Sequence, residues 1–170
     1  MIIGIMSDTH GHVDRARRAA TLLSSRGVQA VIHCGDIGSE AVLIELVDVL
    51  HPTRVPVYAV LGNVDHYDDD ISAFPESAGV TMMGKLGSIE LGGKQIAMCH
   101  GDDAFRLRST ITSGTYNYVF TGHTHERDDT RVGSSRVINP GAVYRTSRPS
   151  IAILDLAKDD LTYIDLEDGS

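Results

Sequence analysis

The chain has no tryptophan, and aromatic residues make up only 5% of its 170 positions. Stacked aromatics therefore cannot carry the core, and aliphatic packing must. Cysteine is scarce too. Cys34 and Cys99 lie far apart in apolar runs, without the spacing of a metal finger or a disulfide framework. They read as buried, reduced thiols. Basic residues are in deficit: 15 Lys and Arg against 23 Asp and Glu leave a net charge of −8. That argues against extended nucleic-acid binding, where Lys and Arg supply the affinity. Part of the acidic excess, Asp68-Asp69-Asp70, reads as a solvated loop. No stretch is apolar for long enough to span a bilayer. The short N-terminal apolar run has no basic flank and meets Ser7 and Asp8 at once, so it does not read as a signal peptide. The expectation is a cytoplasmic protein with no membrane partner. Its 170 residues suffice for one domain, 1–170, with a sizeable core.

The first half alternates strand and helix patterns. Residues 2–6 form a continuous β-branched run that predicts a strand buried on both faces. A helix is expected from His12 to Arg26, with Val13, Ala16, Ala20 and Leu23 on one face and Arg15, Arg17 and Arg18 on a solvated face. Val28–His33 predicts the second strand, with His33 as a packed strand residue. Ser39 is placed to cap a helix over 40–50 that His51 and Pro52 end. Residues 56–61 predict the third strand. Such an order implies right-handed crossovers, a parallel sheet and ligands at the carboxyl ends of the strands.

The second half reads differently. After a polar loop over 64–78, short strands are expected near 80–83, 86–91 and 94–99, with Gly92-Gly93 as a tight hairpin. A short helix over 103–114 and a strand over 116–121 follow. Residues 131–138 predict a hairpin, Asn139-Pro140-Gly141 a turn, and 150–156 with 161–166 a last hairpin.

Polar residues gather at the ends of these strands. Asp8 and His10 follow the first, Asp36 follows Gly35 after the second, and Asn63 follows Gly62 after the third. His100 ends a later strand, and His123 and His125 sit in Gly122-His123-Thr124-His125. Seven donors are too many for one tetrahedral zinc and suit two adjacent ions sharing a carboxylate. Mixed carboxylate, amide and imidazole donors favour divalent transition metals over calcium.

Asp8-Thr9-His10, Gly35-Asp36, Gly62-Asn63, His100-Gly101 and Gly122-His123-Thr124-His125 resemble, in order, the five blocks of the calcineurin-like metallophosphoesterases. The fit is nearest to the small prokaryotic phosphodiesterase branch, to which Asn139-Pro140-Gly141 is also similar. The resemblance implies an α/β fold of two packed β-sheets flanked by helices, a four-layer αββα sandwich. It implies that Asp8, His10 and His125 hold one ion, that Asn63, His100 and His123 hold a second, and that Asp36 bridges them. Manganese is the first expectation, with iron, zinc and nickel as other candidates. Asp36, Asn63 and His100 would then act in catalysis through the metals, with a bridging hydroxide attacking phosphorus in line.

The chain departs from the family pattern after Asn63. Many relatives carry a histidine there, assigned to protonating the leaving group, and this chain has Val64. Valine can neither donate nor accept a proton, which favours good leaving groups or an acid from elsewhere, with His66 a candidate. Asp65 is a candidate for orienting a ligand, and Arg106 and Arg108 for meeting phosphate. Asp102-Asp103 stands where relatives often place another histidine. The reading is a metal-dependent phosphodiesterase acting on a small phosphoester, a nucleotide among the candidates. A phosphomonoesterase and a nuclease are the nearest rivals. A protein-binding scaffold like the retromer subunit is the rival of another class. Homo-oligomerisation is open.

Overall fold

The first strand sets the layout. A computed structural model describes residues 1–65, 68–74 and 76–166. In it, β1 (Ile2–Met6) lies inside a six-stranded mixed sheet. It pairs in parallel with β2 (Ala30–His33), Ile5 opposite Ile32, and antiparallel with β10 (Ser150–Asp155), Ile5 opposite Ala152. β3 (Val57–Ala59) and β4 (Val80–Met82) extend the parallel part, and β11 (Asp160–Asp165) pairs antiparallel with β10, giving the order β11-β10-β1-β2-β3-β4.

The second sheet has the order β5-β6-β7-β9-β8, from β5 (Gly87–Leu91), β6 (Lys94–Met98), β7 (Tyr118–Phe120), β8 (Arg127–Val132) and β9 (Ser135–Pro140). Gly92 and Gly93, both at positive φ, make the two-residue turn between β5 and β6, a conformation that a type I′ turn demands. Ile3, Ile5, Ile32, Ile96, Met98, Phe120, Ile138 and Leu154 pack between the sheets. On the outer face of the first sheet, α1 (Val13–Ser25) and α2 (Glu40–Leu50) bury Ala16, Ala20, Leu23, Val42, Leu43 and Leu46 against Met6, Val31 and Val57. A shorter helix, α4 (Ala104–Thr112), lays Leu107 and Ile111 on Ala97, Val119 and Val137 of the second sheet. The two mixed sheets flanked by helices are the expected four-layer sandwich. Among the described residues no helix is long and apolar enough to cross a membrane.

Several local expectations change. The acidic triplet is a helix start: Asp68 caps α3 (Asp69–Ser72), its carboxylate accepting the N–H groups of Asp70 and Ile71 at 3.1 Å. Negative charge is favoured at a helix N-terminus, which the bare charge run does not reveal. Ser39 occupies the N-cap of α2 in an extended conformation, but its hydroxyl makes no capping bond. The late hairpin is longer than 131–138, and Asn139 and Pro140 end β9 instead of standing in a turn. Pro140 is tolerated because it ends the strand, where a missing donor breaks no further ladder. Arg17 is solvated and pairs with Glu45 of α2 at 2.6 and 2.9 Å, whereas Arg15 lies over the Tyr144 ring, 5.5 Å from its centroid. His66 lies outside the described residues.

Candidate metal centre

The three parallel strands β1, β2 and β3 end together, and the loops after them carry Asp8, His10, Asp36 and Asn63. β6 and β7 of the facing sheet end at the same edge and bring His100, His123 and His125. Among the described non-glycine residues, eight have positive φ, and five of them are Asp8, His10, Asp36, His123 and His125. L-residues seldom adopt this conformation. The chain turns sharply under each of these side chains, which aims them inward from five positions.

Asp8 is fully buried. Its Oδ1 lies 3.2 Å from His125 Nε2, 3.9 Å from His10 Nε2 and 4.0 Å from His100 Nε2. Asp36 faces two ways, Oδ2 toward His10 Nε2 at 3.8 Å and Oδ1 toward His100 Nε2 at 3.3 Å. The Nε2 atoms of His10 and His125 are 3.2 Å apart. The His123 ring stands edge-on to His100 with centroids 5.1 Å apart, and its backbone N–H donates to Asp8 Oδ2 at 3.2 Å. Asn63 is exposed in the turn after β3. Its amide makes no hydrogen bond among the described residues, but both neighbours touch Asp36: the Val64 N–H donates to Oδ1 at 3.1 Å, and a Cβ on Gly62 would collide with that oxygen. A Cβ on Gly122 would likewise collide with Ser7 beside Asp8.

The donors fit a cation. His100 Nδ1 donates to the Cys34 carbonyl at 2.8 Å and His125 Nδ1 to the Arg145 carbonyl at 3.1 Å. A carbonyl only accepts, so both rings keep their Nε2 lone pairs facing the carboxylates, as second-layer carbonyls commonly arrange for metal-binding imidazoles. Asp8 Oδ1 and His100 Nε2 are buried without any hydrogen-bond partner, a state that costs free energy unless something answers it. Asp8, His10 and His125 form one group with ligand atoms close enough for a single ion, and Asp8, Asp36 and His100 form another. Burial raises the Asp8 carboxyl above its ordinary pKa in spite of the Ser7 hydroxyl and the His100 charge. Burial acts the same way on Asp36, but the neighbouring His100 ring and the Val64 N–H outweigh it and hold that carboxyl low. Burial opposes charge on His100, yet Asp36 and Asp8 overcome it and raise its pKa. A metal ion meets the same demand for positive charge there as a proton.

Behind the centre the loops are fastened to one another. Asp65, fully buried, accepts the N–H groups of Ile37, Gly38 and Gly62 at 3.1, 2.9 and 2.8 Å. This carboxylate orients the loops of Asp36 and Asn63. His33, also fully buried, accepts the Gly35 N–H at Nδ1 (3.2 Å) and so donates from Nε2 to Thr9 Oγ1 (3.0 Å), whose hydroxyl donates to the Ile37 carbonyl (3.0 Å). Asn139 donates to the Gly122 carbonyl at 2.8 Å and to Thr124 Oγ1 at 3.1 Å, holding the turn of His123 and His125. The Asn139-Pro140-Gly141 pattern signalled this residue; the role of the Arg145 carbonyl had no signal in the sequence. Arg106 is drawn off by Asp103 at 3.1 Å, and Arg108 lies exposed on α4, so neither is held toward the centre. Both thiols are buried and held protonated by burial, Cys99 pushed up to about 11 and Cys34 well above its ordinary value.

Burial lowers His33 from 6.5 to about 3. Below pH 6.5 the unfolded chain binds a proton here that the fold refuses. This residue's share of stability is therefore complete above pH 6.5 and declines by about 1.4 kcal/mol per pH unit on the way to pH 3. Urea unfolding of His33→Gln across that window is expected to show a shallower decline than the parent. Parallel curves would remove His33 as the cause.

The fold and this site define a calcineurin-like phosphoesterase: residues 1–159 match the model of the calcineurin-like phosphoesterase superfamily domain, and the chain belongs to that family. A phosphodiesterase of Methanocaldococcus jannaschii is 35% identical over 170 residues, covering 98% of this chain and 100% of the relative. A probable metallophosphoesterase of Methanothermobacter thermautotrophicus is 30% identical, covering 91% and 85%. Among solved structures, one described as a novel archaeal phosphodiesterase has a TM-score of 0.85 at 34% identity, covering 98% of this chain and 100% of that one. Vps29 of Entamoeba histolytica with zinc has a TM-score of 0.63 at 20% identity, covering 100% and 95%, a likeness of fold.

Proposed function

We propose that this chain is a binuclear metal-dependent phosphodiesterase, a single domain that hydrolyses a small phosphodiester, a nucleotide among the candidates. The observation that carries the reading is the double aspect of Asp36, with one carboxylate oxygen toward His10 and the other toward His100. In this reading Asp8, His10 and His125 hold one ion and Asn63, His100 and His123 the other, with Asp36 common to both. Manganese is the first choice; iron, zinc and nickel suit the same donors. When bound, such ions activate water as a nucleophile and stabilise charge developing on phosphoryl oxygens.

The residues of the chain do the rest. The carbonyls of Cys34 and Arg145 keep His100 and His125 in the tautomer that presents Nε2. Val64, exposed beside Asn63, offers no proton to a leaving group, and general-acid help is worth typically 10²–10⁴-fold. Diesters with good leaving groups suit such a site. Two buried free thiols suit a reducing compartment such as the cytoplasm.

The test is hydrolysis of bis(4-nitrophenyl) phosphate beside 4-nitrophenyl phosphate by metal-stripped protein given manganese. Manganese-dependent turnover is expected, with the diester well ahead. A preference for the monoester would move the reading to a phosphatase. Absence of turnover with metal bound would favour a scaffold.

A further inference from the structure

The centre collects carboxylates and imidazoles, in a chain whose net charge is −8. A cationic side chain at its rim would add to the bound ions in receiving an anionic phosphoester, and several arginines of the chain are already engaged. Arg127 and Arg148 pair with Asp165, Arg136 with Asp129 and Asp159, Arg131 with Asp159, and Arg106 with Asp103. Arg145 differs: no carboxylate among the described residues pairs with it.

Its placement is also constrained. The preceding N–H groups of Val143 and Tyr144 donate to the carbonyls of Ser7 and Asp8 at 3.0 and 3.1 Å. Its own carbonyl takes the His125 Nδ1–H at 3.1 Å. The Tyr144 ring packs 4.5 Å from His12, which fixes the segment against the start of α1. Arg145 itself has φ of +57°, outside the region L-residues favour. The backbone of this exposed arginine is thus fastened beside the site, next to His125 and the Asp8 loop.

We propose that Arg145 is a substrate-binding residue, its guanidinium taking a non-bridging oxygen of the phosphoryl group at the His10–His125 side of the centre. A guanidinium suits this task because its planar fork of N–H donors matches phosphate oxygens and it stays charged at any working pH. The inference rests on the phosphoesterase reading of the site and deepens it. The backbone role of Arg145 toward His125 belongs to any residue there, so side-chain replacement separates the two roles.

The test uses Arg145→Asn, which tolerates a left-handed backbone, and Arg145→Lys, which keeps the charge. The readouts are the affinity of the manganese-loaded protein for inorganic phosphate by calorimetry, bound metal, and KM and kcat for bis(4-nitrophenyl) phosphate. Arg145→Asn is expected to weaken phosphate binding by about 10- to 100-fold, the worth of a charge-assisted hydrogen bond. KM should rise alongside, bound metal should not change, and Arg145→Lys should recover part of the loss. Unchanged phosphate affinity in Arg145→Asn overturns the proposal. So does a loss of affinity that tracks loss of metal, since that would trace to His125. If the parent binds phosphate but turns over no ester, the catalytic reading fails while the phosphate comparison still decides the role of Arg145.

Discussion

Asp36→Ala is expected to lower manganese-dependent diester turnover by about 10³-fold, some 4 kcal/mol of lost transition-state stabilisation. The size follows from position. One carboxylate oxygen faces His10 and the other His100, so a single truncation takes a donor from both halves of the centre. It also frees the Val64 N–H, which donates to Oδ1, and so loosens the turn that presents Asn63. The fold should survive, because Asp65 still holds the same two loops from behind. Turnover and bound metal measured together, with circular dichroism as the control for folding, check this. Near-parental turnover with two ions still bound would remove Asp36 from its bridging place.

The largest loss of stability is expected from Asp65→Ala. A fully buried carboxylate that accepts three backbone N–H groups leaves all three orphaned when it is removed. Each buried unsatisfied donor costs about 1–3 kcal/mol. Partial relaxation and entering water reduce the sum, so a loss of about 3–5 kcal/mol is expected. In a chain of this length that lowers Tm by roughly 10 °C. Asp65→Asn should fall between, since one oxygen remains but an NH₂ now faces donors. Melting curves of metal-free proteins make the comparison, because bound ions would stabilise parent and variant unequally. A loss under about 1 kcal/mol in Asp65→Ala would mean that water serves the three amides as well as the carboxylate does.

Much of this centre was readable because its residues sit where the topology is simplest. Each apolar run of the parallel strands ends in Asp8, His33-Cys34-Gly35-Asp36 or Gly62-Asn63, and a parallel sheet brings such ends to one edge. Local spacing alone was enough to find them. What was not readable depends on contacts between distant segments. Nothing near residue 145 indicates that its carbonyl meets a ring 20 residues earlier. Asp68 looked like loop charge because its partners are the amides of a helix only four residues long, below the length at which periodicity speaks. Arg15 lies on the polar side of α1 by pattern, yet Tyr144 covers it from the other end of the chain. The β8–β9 hairpin ran longer than expected because the exposed edge strand Arg127–Val132 carries almost no apolar signal to mark its start.

The left-handed backbone at Asp8, His10, Asp36, His123 and His125 has an evolutionary consequence. A side chain in that conformation costs about 1–2 kcal/mol, and glycine would largely escape the penalty. Drift under selection for stability alone would therefore erode this site first and leave a sturdier, inert protein behind. Selection for chemistry, acting against the preference of the fold, is what would keep all five side chains together.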